Sequence, residues 1–277
     1  MTANPLWQIG DHLKGRFQGS MVDWLEANLT IPHSARSSKF SRAVSPWLND
    51  IFEDLADDRV TQLVIRACTG GGKSTLVECF LPFAIAEAPG GMLMVGQNDD
   101  MVKEFAESRL IPLLEACPPV AKLFPGDRHL KRKTSILFPH CSLFLAGANI
   151  SSLQEKSMRY CIGDEVWRWK QDMIRMLKAR HHDRARRKTV LVTQGWDHDH
   201  DLTEEWNSGE VFHWGTLCLG CEKWHPYIWT SIKYDECKIG GKWDWQALAE
   251  SVRHECPHCG FVTRDTIANR RAMADRG

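Results

Sequence analysis

The chain has 277 residues, 43% hydrophobic and 25% charged, which fits one full-sized globular domain with a smaller one and excludes disordered and fibrous classes. Its 35 basic residues balance 35 acidic ones, so any nucleic-acid contact must come from a local basic face and not from bulk charge. The longest apolar stretch, Leu76 to Pro89, is broken by Glu78, Pro82 and Glu87, which excludes a membrane span; the start lacks the marks of a signal peptide, so the ten cysteines are expected as thiols or metal ligands in a reducing compartment.

Residues 1–45 form an N-terminal segment whose polar part, Pro32 to Arg42, reads as a loop. Trp47, Leu48, Ile51, Phe52 and Leu55 recur at helical spacing, which predicts a helix capped by Ser45 with Pro46 at its first position. Thr61 to Arg66 is a β-rich run, followed by a glycine cluster and by helical patterning from Thr75 to Ala88. Gly91 to Gly96 reads as a second strand, Asp99 to Ala116 as one long amphipathic helix, and Ser135 to Phe138 with Ser142 to Ala146 as a hairpin-like pair. Tyr160 to Gly163 and Thr189 to Thr193 complete the strands. This alternation predicts an α/β domain over 46–210, a mostly parallel sheet flanked by helices. Seven of the twelve tryptophans follow residue 190, and beyond 210 the pattern becomes short and Trp- and Gly-rich. A small β module over 211–265 is expected there, then a C-terminal helix or linker over 266–277.

Ala67-Cys-Thr-Gly-Gly-Gly-Lys-Ser74 fits the phosphate-loop pattern, with Ala in place of the first Gly. A strand before it and a helix after it make a P-loop NTPase the expected fold. Backbone N–H groups from Thr69, Gly70, Gly71 and Gly72 would cradle the phosphates of ATP, and Lys73 would reach the β- and γ-phosphates. Ser74 would place its hydroxyl on Mg²⁺ as Thr75 starts the helix proper. Arg66, directly before the loop, is grouped with the catalytic residues, whereas Cys68 reads as inert packing.

Hydrolysis also needs an acid on a neighbouring strand. Asp164-Glu165 follows a strand weakened by Gly163. Such a pair is more often a solvated turn, but downstream of a phosphate loop Asp164 is assigned to Mg²⁺ and Glu165 to the catalytic base. Thr193-Gln194 ends the next strand, in position to sense the γ-phosphate. Between 168 and 188 nine Lys or Arg face two Asp, a local charge of +7. That run reads as a solvated helix, as a DNA-phosphate contact through Arg175, Lys178, Arg180, Arg184, Arg186 and Arg187, or as the source of an arginine for a neighbouring subunit.

Cys218-Leu-Gly-Cys221 and Cys256-Pro-His-Cys259 have the spacing of two knuckles sharing one tetrahedral Zn²⁺. The 34 intervening residues must carry their own strands, and His225, Cys237 and His258 are substitute ligands. Asp197-His-Asp-His-Asp201 reads as a polar loop, because consecutive residues do not easily converge on one ion.

The order of these parts resembles the large terminase subunit of tailed bacteriophages, in the lambda-type branch with a zinc-ribbon-like insertion. The resemblance runs through Ser45-Pro-Trp-Leu48, Ala67 to Ser74, Val95-Gly-Gln-Asn98, Phe105 to Pro112, Phe138 to Leu143, Ala146 to Leu153, Arg159 to Glu165, Val190 to Thr193, and Cys218 to Cys221 with Trp229 to Tyr234. It implies an ATP-driven motor that threads double-stranded DNA through a portal protein into a procapsid. Lys73, Ser74, Asp164, Glu165 and Thr193 take the family's roles, and Trp47 lies in the segment that contacts adenine. It further implies a small terminase subunit as partner, a homo-oligomeric ring, and action in the host bacterial cytoplasm, with no membrane association. Gln154 stands where related sequences often carry the trans-acting arginine, leaving Lys156, Arg159 and Arg180 as candidates, and Gly195-Trp196 replaces a more usual Thr-Pro. The family adds a nuclease domain for which 277 residues leave no room, so no nuclease activity is expected of this chain. A helicase-like DNA-dependent ATPase and a zinc-stabilised assembly adaptor that binds ATP without using it are the alternatives.

Overall fold

A computed structural model describes residues 18–33, 38–127, 129–150, 157–181 and 186–277. Arg184, Lys156 and the stretch Leu153 to Glu155 lie outside these residues. Two compact units emerge, one running through Arg42 and from Leu48 to Gly209, the other formed by Ala43–Trp47 and Glu210–Gly277.

In the first unit, helices α1 (Met21–Asn28) and α2 (Asn49–Ala56) precede strand β1 (Gln62–Arg66). The helix expected from Ser45 starts later: Pro46–Leu48 is a 3-10 turn, and Leu48 makes no side-chain cap. Glu53 of α2 instead serves α1, accepting from Ser20 Oγ and from the backbone N–H of Met21 and Val22 at 2.5–3.2 Å, where a carboxylate suits the helix N-terminus.

After β1 come α3 (Lys73–Glu87) and β2 (Met92–Gly96). Next, α4 (Asp99–Phe105) continues through a π-turn at Ala106–Leu110 into α5 (Ile111–Ala116), and the short α6 (Pro118–Ala121) follows. The single helix expected over 99–116 therefore contains a π insertion. Strands β3 (Lys131–Arg132), β4 (Ser135–Leu137), β5 (Ser142–Gly147) and β6 (Tyr160–Gly163) precede α7 (Met173–Lys178), β7 (Lys188–Thr193) and α8 (Leu202–Asn207).

Seven strands form one sheet in the order β1-β7-β6-β2-β5-β4-β3. The pairings from β1 to β5 are parallel and only the β5-β4-β3 edge is antiparallel. Every residue of β2, β6 and β7 is buried, as expected of parallel strands covered on both faces. Leu76, Val77, Phe80, Leu81 and Phe83 of α3 are also buried, so this helix is apolar around most of its girth.

The second unit contains β8 (Gly215–Leu217), β9 (Trp224–Pro226), β10 (Ile232–Lys233), β11 (Lys238–Ile239), β12 (Lys242–Trp243), α9 (Trp245–Ser251), β13 (Arg253–Glu255), β14 (Val262–Arg264) and α10 (Ile267–Ala274). β8 and β9 form one hairpin, β11 and β12 another, and β13 lies between β10 and β14. The chain end packs into this unit: Thr216 Oγ1 donates to the Met273 carbonyl at 2.7 Å, and Leu217 N to that of Arg276 at 3.2 Å.

Candidate functional site

The glycine loop joins the end of β1 to the start of α3. Its entry is tied to the neighbouring strand by the Ala67 N–H, which donates to the Thr193 carbonyl at 3.1 Å. Gly72 ends the loop at φ +89°, and a Cβ there would meet Leu48 Cδ1 at 2.8 Å, so both the backbone conformation and the close approach of Leu48 call for glycine. Lys73 is buried, and its Nζ donates to the carbonyls of Ala67 at 3.2 Å and Cys68 at 3.0 Å, which folds the ammonium across the loop. Thr69 and Gly70 are exposed, while Ser74 and Thr75 are half-buried in the first turn of α3. Cys68 is exposed, which corrects its reading as packing.

β7 separates the loop strand from β6 in the sheet, and its last residue, Thr193, pairs in register with Arg66. Thr193 Oγ1 is buried and has no hydrogen-bond partner among the described residues, an uncommon condition for a hydroxyl inside a protein. Arg66 turns to other partners: its guanidinium carbon lies 5.3 Å and 5.4 Å from the ring centroids of Trp196 and Trp206, a cation–π clamp.

Asp164 and Glu165 leave the end of β6. The Asp164 N–H donates to the Val95 carbonyl at 2.8 Å, which continues the pairing with β2 by one residue. Glu165 sits at φ +50°, a conformation disfavoured for a non-glycine residue and recurrent at functional sites. Trp167 Nε1 donates to Glu165 Oε2 at 2.5 Å, and Trp169 Nε1 to the Asp164 carbonyl at 3.2 Å. Gly163 is required by this packing, because a Cβ would lie 2.8 Å from both Trp169 Cη2 and Val166 Cγ2. Burial, reinforced by the charge of Glu165, pushes the Asp164 carboxyl up to about 6, while the Glu165 N–H, Lys73 and Arg109 pull the other way. Ser74 and Asp164 could hold Mg²⁺ through a hydroxyl and a carboxylate oxygen.

A buried ion cluster lies behind this site and was not evident in the sequence. Glu78, four residues after Ser74 on α3, is fully buried; Arg109 Nε lies 2.7 Å from its Oε1 and His33 Nε2 lies 3.2 Å from its Oε2. Burial raises the Glu78 carboxyl, and Arg109 and His33 oppose that rise. Its one legible signal was a carboxylate inside an apolar run.

Among the described residues the basic run does not form one continuous cationic face. Lys178 is paired with Glu205 at 2.7 Å, Arg180 buries its Nε, and Lys188 is buried with Nζ on the carbonyls of Asp54 and Asp57, both at 2.7 Å. Arg186 and Arg187 are exposed, as is Arg175, which pairs with Asp172 at 3.1 Å. Of the arginines considered for a neighbouring subunit, Arg159 is only 15% exposed and donates to Asp58 at 3.1 Å and to the carbonyls of Ala88 and Pro89; it directly precedes β6, at the opposite end of that strand from Asp164.

In the second unit, each Cys pair occupies the turn of a hairpin, Cys218 and Cys221 between β8 and β9, Cys256 and Cys259 between β13 and β14. The four Sγ atoms lie within 4.8 Å of one another, and this is the only group of three or more potential metal ligands among the described residues. Cys218 and Cys259 Sγ are 3.8 Å apart, and Cys221 and Cys256 Sγ 3.9 Å. These separations are too long for disulfides. They match the edge of a tetrahedron with Zn–S bonds of about 2.3 Å, roughly 3.8 Å. Burial opposes a thiolate at Cys218, but the N–H groups of Cys221 and Gly220 and the neighbouring thiols outweigh it and pull the group down to about 6. Charged sulfur is the form that binds metal. Trp47 belongs to this unit and packs edge-to-face on Trp214, ring centroids 6.0 Å apart.

With a glycine loop between β1 and α3, the acidic pair at the end of β6 and β7 between the two strands, the first unit is a P-loop α/β domain. Over residues 34–277 the sequence matches the ATPase domain of the phage terminase large subunit gpA, and the chain belongs to that family. Among solved structures, the crystal structure of the HK97 bacteriophage large terminase is similar, with a TM-score of 0.55 and 12% identity over 68% of this chain and 40% of that one. Identity this low speaks to fold alone, and the chain spans 40% of the length of that terminase. No curated protein matches the chain. No helix among the described residues is long and apolar enough to cross a membrane.

Proposed function

We propose that the chain is the ATP-hydrolysing motor of viral DNA packaging, driving double-stranded DNA through a portal into a procapsid in the host cytoplasm. Convergence of the glycine loop, Thr193 and the Asp164-Glu165 pair on one end of the sheet carries this reading, and the family membership supports it. Glu165 orients water and accepts its proton as the water oxygen bonds to the γ-phosphorus and the bond to the β-phosphate oxygen breaks. Trp167, donating through Nε1 to Glu165 Oε2, limits the rotamers that the carboxylate can adopt. Lys73 exchanges its loop carbonyls for phosphate oxygens. Ser74 and Asp164 would hold Mg²⁺, which would supply positive charge to the phosphates. The orphaned Thr193 hydroxyl finds a partner in the γ-phosphate or the attacking water, coupling that event to β7.

DNA contact falls to Arg175, Arg186 and Arg187, independent of sequence and sensitive to salt. The small terminase subunit and the portal are the protein partners, a homo-oligomeric ring is the active form, and Zn²⁺ serves the second unit structurally. The test is ATP turnover by the purified chain with and without duplex DNA, beside Glu165→Gln. Turnover that rises with DNA, falls as salt is raised and drops at least about 100-fold in the variant is the expected result. Nucleotide binding with no turnover under any condition, even with portal added, would instead favour the adaptor role.

A further inference from the structure

Trp47 and Leu48 are neighbours in the chain and belong to different units. Leu48 is buried in the first unit, where it backs the last residue of the glycine loop: a Cβ on Gly72 would meet its Cδ1 at 2.8 Å. Gly72 holds the left-handed conformation from which α3 starts, and Lys73 follows directly. Trp47 packs instead within the second unit, half-buried, its ring centroid 6.0 Å from that of Trp214. The ring contacts continue from there. Trp214 lies 5.5 Å from Tyr227, and Tyr227 lies 5.2 Å from His254, which is buried in β13 two residues before Cys256. Trp47 and Leu48 share one 3-10 turn, Pro46–Leu48, whose first position is a proline of fixed φ. A displacement of Trp47 thus reaches Leu48 through a single peptide bond in a stiff turn.

We propose that the turn Pro46–Leu48 is a joint through which the second unit positions the phosphate loop, with Trp47 as its anchor in that unit and Leu48 as the positioning residue at Gly72. The inference rests on the ATPase reading above. The glycines that let the loop wrap a phosphate leave it with no side chains of its own to hold that shape. A buried neighbour against Gly72 supplies the restraint, and a loop already in shape binds its anion at a lower ordering cost. Trp47, committed to Trp214, acts through Leu48 and not by contact with adenine, the role that the family resemblance implies for its segment.

Calorimetric titration of the full chain with Mg·ADP and with Mg·tripolyphosphate, which has no base, separates the two roles, using wild type, Trp47→Ala, Trp47→Phe and Trp214→Ala. Trp47→Ala is expected to weaken both ligands by the same factor, about 5-fold or more, and Trp214→Ala to do likewise, with the helical circular dichroism of the first unit unchanged. Trp47→Phe, which keeps a ring against Trp214, should stay within about twofold of wild type. Loss of ADP affinity alone in Trp47→Ala, with tripolyphosphate binding intact, would reveal an indole stacked on adenine and overturn the proposal. Wild-type affinity for both ligands in either folded alanine variant would also overturn it, as would a loss that comes with melting of the first unit. Should one alanine variant fail to fold, the other decides. A wild-type chain that binds neither ligand would refute the ATPase reading, a failure distinct from an inert joint.

Discussion

Lys188 belongs to the basic run in sequence and to the core in space. Its ammonium satisfies two carbonyls at the end of α2, a favourable place for a cation, yet burial lowers its pKa to about 8 despite the nearby carboxylates of Asp58, Asp57 and Asp54. A base whose folded pKa lies below its unfolded value near 10.5 binds fewer protons when folded, so its contribution to stability grows as pH rises from about 8 to 10.5. Relative to Lys188→Met, wild type should gain about 2 kcal/mol between pH 7.5 and 9.5, read as a change in the gap between the two melting temperatures. A pH-independent gap would show that the ammonium is not desolvated. Nothing in the run Arg186-Arg187-Lys188 distinguishes the third residue from the first two, because burial depends on where β7 enters the sheet. Lys73, Ser74 and the Asp164-Glu165 pair were legible because loop chemistry demands those residue types in that order. Arg109 was not, since its partner Glu78 is 31 residues away and the pair makes sense only once α3 and the π-turn lie together.

Strands and helices of the first unit follow closely from periodicity, and the departures have physical reasons. The segment 99–116 reads as one amphipathic helix, but a π-turn adds one residue and rotates the face beyond it by about 100°. Apolar spacing over so short a window cannot register a single added residue. Gly163 looked like a weakness in β6, since it has no side chain to pack; its missing side chain is the space that Trp169 and Val166 occupy. Gly163→Ala should therefore cost about 1–3 kcal/mol in thermal or chemical unfolding, and it should reduce ATP turnover by displacing the two carboxylates that follow directly. Unchanged stability would mean that Trp169 has room to move.

The two units differ in what holds them together. The first has an extensive apolar core on both faces of its sheet, whereas the buried apolar side chains of the second, among the described residues, are Cys218, Cys256 and Met273. A unit with so little core would depend on a metal held by its four thiols. The purified chain should carry one zinc, and strong chelation should shift tryptophan emission to the red through the half-buried Trp214 while the helical circular dichroism of the first unit largely persists. A chain that keeps its tryptophan spectrum after complete metal removal would contradict this account.

Local chemistry was written in the residues: a glycine loop needs particular backbone freedom, a tetrathiolate site needs paired cysteines, and both leave marks within a few positions. The α/β alternation was equally plain, because hydrophobic periodicity is itself local. Sheet order was not, and it is β7 lying between β1 and β6 that sets Thr193 between the loop and the acidic pair. Which cations face solvent and which carboxylates are desolvated likewise follow from long-range packing, since desolvation and charge coupling act between residues that only folding brings close.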